Sequence, residues 1–166
     1  MALRLILMRH AKSGWDDPLL ADHDRPLAPR GIAAAERIGR WLAARGHLPE
    51  AALVSSARRT QETWQQMAPA LPPCAVEVVA DLYHAAPATM LRVLRGARGR
   101  SVLILGHNPG IAEFARQIVE SPPAHRRFAD YPTAATLVAD FDIDGWDGAG
   151  TGTGRVVDFV VPRDLG

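Results

Sequence analysis

A single cysteine, Cys74, excludes an intrachain disulfide and any site built from several thiolates. Long apolar runs are missing too. The first, Leu5 to Met8, falls far short of a signal-peptide core or a membrane span, so a cytoplasmic protein with no membrane partner is expected. No charge of one sign dominates either. A formal net charge of +1 offers no general attraction for nucleic acid, and 22% charged residues with 13 prolines spread along the chain do not describe disorder. Any partner must therefore be recognised locally.

What is present is enough for one core. At 166 residues and 48% hydrophobic content, the chain is expected to form a single domain over residues 1–166, and a monomer. Leu3 to Met8 reads as a buried strand followed by a polar loop. From Pro29 to about Arg45, Ala34, Ile38, Trp41 and Leu42 recur at helical spacing, with Gly46 placed to end the helix. Ala51 to Val54 is a second strand, running into Ser55-Ser56 as caps for a helix from Ala57 to about Ala68. Val76 to Val79, a helix after Pro87 and the strand Ser101 to Leu105 continue the alternation. Asn108 as N-cap and Pro109 at the first helical position would open a helix carrying Ile111, Phe114, Ala115 and Ile118. Ala134 to Ile143 alternates, and Arg155 to Val161 supplies a partner strand across a glycine-rich turn. The expected fold is a three-layer α/β/α sandwich, with a mostly parallel central sheet and a C-terminal antiparallel hairpin.

Ligands of such sheets collect beyond the carboxyl ends of the strands. Three polar groups sit just there: Arg9-His10, Ser55-Ser56 with Arg58-Arg59, and Gly106-His107-Asn108. Histidines, arginines and helix N-termini with no carboxylate immediately beside them favour a phosphoryl dianion. The competing reading is a metal site. His10, His23, His47, His84, His107 and His125 lack HxxxH spacing, and neighbouring arginines would repel a cation, so no metal or cofactor is expected. His10 alone is both nucleophilic and at a strand tip; neutral imidazole can attack phosphorus if Arg9, Arg59 and His107 stabilise the transition state. To attack, His10 must be neutral, whereas a protonated His107 would hold phosphate best.

LILMRHAKSGWD (Leu5 to Asp16) resembles the Arg-His-Gly signature of the histidine phosphatase superfamily, branch 1, which has a phosphoglycerate mutase-like fold. The likeness is greatest to its small SixA-type phosphohistidine phosphatases, and it continues through DHDRPLAPRG (Asp22 to Gly31), VSSARRTQETW (Val54 to Trp64) and LILGHNPGIAE (Leu103 to Glu113). The resemblance implies that His10 is the phosphorylated nucleophile, that Arg9 and Arg59 hold the phosphate with Arg58 as the fallback, and that His107 is the second histidine. The implied substrate is a phosphohistidine of a phosphorylated protein, or a small phosphorylated molecule. Two departures stand out: Ala11 replaces the usual glycine, and the glutamate acid of larger relatives has no counterpart in VVADLYHAAPATM (Val78 to Met90). Asp16, Asp24, Asp81 and His84 are weak substitutes, and Asp24 could instead be a structural partner of Arg25. A phosphohistidine expels imidazole with less need of an acid than an alkoxide, which favours a P–N substrate. A small-molecule phosphomonoesterase and a binding module without turnover remain alternatives.

Lys12, the only lysine among 19 lysines and arginines, is a further candidate for substrate contact, with Ser13 and Asn108. DFDIDG (Asp140 to Gly145) lacks the closing glutamate of a calcium loop, and GAGTGTG (Gly148 to Gly154) precedes a strand, not a helix. Arg92, Arg95, Arg98 and Arg100 read as a solvated face, with docking of an acidic phosphoprotein as a minor alternative.

Overall fold

The alternation of Leu3, Leu5 and Leu7 with Ile6 and Met8 sends the first strand's side chains into two different cores, one on each face of a sheet. In the computed structural model, which describes residues 2–166, that strand is β1 (Leu3–Arg9). It is followed by α1 (Pro29–Ala44), β2 (Ala51–Ser55), α2 (Arg58–Met67), β3 (Ala75–Val79), α3 (Pro87–Arg95), β4 (Ser101–Gly106), α4 (Gly110–Ile118), β5 (Thr136–Phe141) and β6 (Gly154–Val160). The six-stranded sheet runs β3-β2-β4-β1-β5-β6. β3, β2, β4 and β1 are parallel, while β5 pairs antiparallel with both β1 and β6. α1 packs beside α2, and α3 beside α4. Ile38, Leu42, Trp64 and Met67 cover Ile6, Met8, Val54 and Leu105 on one face; Met90, Leu94, Ile111 and Phe114 cover Leu5, Leu7 and Ile104 on the other. The chain thus has the expected three-layer α/β/α architecture, and none of its helices among the described residues is long and apolar enough to cross a membrane.

This order sets β2, β4 and β1 side by side and parallel, so their carboxyl ends open on one crevice. Two glycines let loops approach it. A Cβ on Gly31, in the first turn of α1, would lie 2.0 Å from the Lys12 carbonyl oxygen, and one on Gly110, at the start of α4, 1.8 Å from that of Ala85.

Two local expectations are corrected. Asn108 does not cap α4: that helix starts at Gly110 after a cis Asn108–Pro109 bond, and Asn108 Nδ2 instead donates to the carbonyls of Asp130 and Tyr131. Ser55 and Ser56 do not cap α2, whose first turn is tied by Thr60 Oγ1 donating to the Ser55 carbonyl at 2.7 Å; histidines take both hydroxyls. The expected strand at Val76 to Val79 is present as β3, an exposed edge with Val76 49% and Val78 52% accessible.

Candidate active site

His10 follows β1 directly and is held by its own next residue. Its Nδ1–H donates to the Ala11 carbonyl at 2.7 Å, and the Ala11 amide donates to Thr63 Oγ1 of α2 at 3.0 Å. With Nδ1 protonated, Nε2 keeps its lone pair. Burial pushes the His10 imidazolium down to about 3: the Ala11 hydrogen bond opposes this, and the charges of Arg9, Arg59 and Arg25 add to it. The ring is neutral at ordinary pH, as a nucleophile must be. The Ala11 methyl lies in the apolar core under α1 and α2, fully buried, and does not line the cavity. Replacing the family's glycine therefore leaves the pocket open.

His107, at the end of β4, stands with its ring 5.3 Å from that of His10. Arg59 Nη2 donates to His107 Nδ1 at 3.4 Å; since a guanidinium only donates, the neutral ring carries its proton on Nε2 and gives it to Ser55 Oγ at 2.7 Å. Burial, the neighbouring His10, Arg59 and His84 push His107 down to about 2, against the opposing pull of Asp22. Burial first, and then the neighbouring charges, keep the ligand-free ring neutral, so the protonated His107 that would hold phosphate best requires a proton gained with the bound anion.

Arg59 is 3% exposed at the start of α2, and Arg9 is half-buried at the end of β1 with Nη1 donating to the Tyr131 carbonyl at 3.2 Å. The Nε–H groups of both are buried without a partner among the described residues. Buried donors of this kind cost stability unless an acceptor arrives, and phosphate oxygens are the acceptors a guanidinium fits. Together these groups line a cavity of about 320 Å³, shared with Lys12, Ser13 and Asn108. A larger hollow of about 420 Å³ between β3 and α3 holds no histidine, cysteine or serine.

The chemistry of the rim contradicts the expectation that no carboxylate lies beside the basic groups. Asp22 lines the cavity: its Oδ2 accepts from Tyr83 Oη at 2.5 Å, Arg59 Nη2 at 3.0 Å and His84 Nε2 at 3.1 Å, and its Oδ1 from Arg25 Nη1 at 2.9 Å. Burial alone would raise its pKa, but these hydrogen bonds and the Arg59 charge outweigh that and hold the carboxyl well below the usual carboxylate range. Arg25 also donates to Ser13 Oγ and stacks 3.2 Å over the Trp15 ring. Ser13 is thereby held in place from within the protein.

Arg58 is displaced from its expected place. It points to solvent and pairs with Glu62 at 2.9 Å, because its neighbour Arg59 occupies the inner side of α2. Asp24 is two-thirds exposed and does not partner Arg25, a role that Asp22 takes. Asp81 pairs with Arg92 on the surface, and Asp16 is exposed. Of the four weak acid candidates only His84 reaches the cavity. Arg95 is not simply solvated, since its Nε donates to the Ala149 carbonyl.

A buried imidazole with a free nitrogen, facing arginines whose donors lack acceptors at the switch point of an α/β sheet, defines a phosphoryl-transfer enzyme. The chain belongs to the histidine phosphatase superfamily (branch 1), whose family model matches residues 5–85, and it is a phosphatase. Within that superfamily it is of the SixA type. It matches the solved structure of a candidate phosphohistidine phosphatase SixA from Nakamurella multipartitia at 27% identity and a TM-score of 0.81, covering 98% of this chain and 97% of that one. A second candidate SixA, from Agrobacterium tumefaciens, matches at the same identity and TM-score over 98% of this chain and 99% of the other. A Mycobacterium tuberculosis protein without an assigned activity is 35% identical over 164 residues, 94% of this chain and 100% of the relative.

Proposed function

We propose that the chain removes phosphate from phosphohistidine on a partner protein, without a metal ion, through a phosphate carried on His10 Nε2. The observation that carries this reading is the Nε2 lone pair, fixed by the Nδ1–H bond to Ala11 and surrounded by the guanidinium groups of Arg9 and Arg59. Nε2 attacks phosphorus, the P–N bond of the substrate breaks, and its electron pair leaves on the substrate imidazole. Arg9, Arg59 and His107 stabilise the equatorial oxygens. Water then attacks phosphorus, the bond to His10 breaks, and inorganic phosphate departs with the pair returned to Nε2. Asp22 cannot supply a proton to the leaving group because it is held ionised. A departing imidazole has little need of one, so the floor of the cavity suffices for a P–N bond. The same arginines oppose a metal cation in the cavity.

The test is turnover of a histidine-phosphorylated protein in EDTA. Release of phosphate by the wild type, and none by His10→Ala, is the expected result. Activity that vanishes on chelation, or that survives in His10→Ala, contradicts the proposal.

A further inference from the structure

His84 lies in the cavity wall and has no part in the attack on phosphorus. Its Nε2 donates to Asp22 Oδ2 at 3.1 Å, which leaves Nδ1 as the ring nitrogen with no partner among the described residues. Its ring is 5.1 Å from that of His107 and 4.2 Å from that of Tyr83. The residue sits in the left-handed region (φ 50°), a conformation uncommon outside glycine, and the start of α4 closes on the adjoining Ala85 carbonyl through Gly110. The turn is therefore clamped with the imidazole on the cavity.

An ionised carboxylate on one ring nitrogen fixes where the neutral ring keeps its proton and leaves the other nitrogen free to take up and give a second. Around His84, Asp22 supplies that negative charge and Arg59 shares the same Oδ2 oxygen of it, while the rings of Tyr83 and His107 are neutral in the ligand-free site. A substrate phosphate adds further negative charge on the cavity side.

We propose that His84 is the proton donor to the leaving group when the site cleaves a phosphate monoester of an alcohol. The inference rests on His10 as the nucleophile. As Nε2 of His10 bonds to phosphorus, the P–O bond to the alcohol breaks, its electron pair stays on oxygen, and that oxygen takes the proton from Nδ1 of His84. In the second step His84 takes a proton from the attacking water, the resulting hydroxide oxygen bonds to phosphorus, the bond to His10 breaks, and His84 is left protonated for the next cycle. Atoms and charge balance over the two steps.

Leaving groups of different basicity separate a proton donor from a residue that only binds phosphate. His84→Asn is the variant of choice because asparagine tolerates the left-handed backbone. On ethyl phosphate, whose alkoxide cannot leave unprotonated, kcat/KM should fall by about 10²-fold or more. On p-nitrophenyl phosphate and on a phosphohistidine peptide it should fall by less than about tenfold, because those groups leave with little help. The rate of the variant should thus depend more steeply on leaving-group basicity. Equal loss on all three substrates, an unchanged rate on ethyl phosphate, or a wild type that ignores ethyl phosphate while cleaving the peptide, overturns the inference and leaves the proposed function standing. If no substrate phosphorylates His10, the proposed function fails and takes this inference with it.

Discussion

The floor of the cavity is built from strand ends and the first turn of a helix, whereas its rim is built from loops. His10, Arg59 and His107 are 6%, 3% and 1% exposed, and each is tied to the sheet or to α2 within one or two bonds. Trp15 and Leu19, on the loop between β1 and α1, are 71% and 93% exposed, and Asp22 and His84 reach the cavity from segments far apart in the chain. A group that must meet phosphorus along one line needs the rigidity of the sheet. A group that meets variable leaving groups can sit on a loop.

Breaking the floor should therefore have the larger effect. Arg59→Ala removes a guanidinium that touches both Asp22 and His107, and kcat should drop by about 10²- to 10³-fold. Arg59→Lys should recover little of it, since an ammonium cannot reproduce two parallel contacts. Steady-state rates on a phosphohistidine peptide check both.

The buried histidines also give the floor a sensitivity to mild acid, at a pH above that at which the rim carboxylate Asp22 begins to matter. His10 and His107 ionise near 3 and 2 in the folded protein, below the ordinary ~6.5 of an unfolded chain. As pH falls through ~6.5 the unfolded chain takes up protons that the folded one does not. Their contribution to stability is therefore complete above pH ~6.5 and is lost as pH falls towards 3, by at most about 1.4 kcal/mol per pH unit for each ring. Urea unfolding between pH 4 and 8 should show this slope, and His107→Gln should reduce it. An unchanged slope in that variant would mean that His107 is not the group responsible.

The same division explains what the sequence revealed. Arg9, His10 and His107 are legible because each stands at or just past the end of an apolar strand, and neighbouring parallel strands must end at the same level. Arg59 stands four residues before the buried Thr63, a spacing that puts it on the inner side of α2 while Arg58 faces out. Asp22, Arg25 and Tyr83 were missed as site residues because their contacts join segments up to 62 positions apart, a closure that periodicity does not encode. One signal was available: Asp22 and Arg25 stand at i and i+3 inside the DHDRPL segment, the spacing of a local ion pair. Ser55 read as a cap because a serine before a helix usually is one, but the imidazole of His107 holds its hydroxyl.

The smallest effect sharpens the contrast from outside the cavity. Arg58→Ala, adjacent in sequence to Arg59 but paired with Glu62 at the surface, should change activity by less than about twofold and stability by about 0.5 kcal/mol or less.

The most direct test of the division between floor and rim is rapid-quench labelling with a ³²P-phosphohistidine peptide. The wild type and His84→Asn should both show acid-labile, alkali-stable label on His10 during turnover, because the floor alone forms that bond. Label on another residue, or turnover with no labelled intermediate under conditions that trap phosphohistidine, would contradict the account.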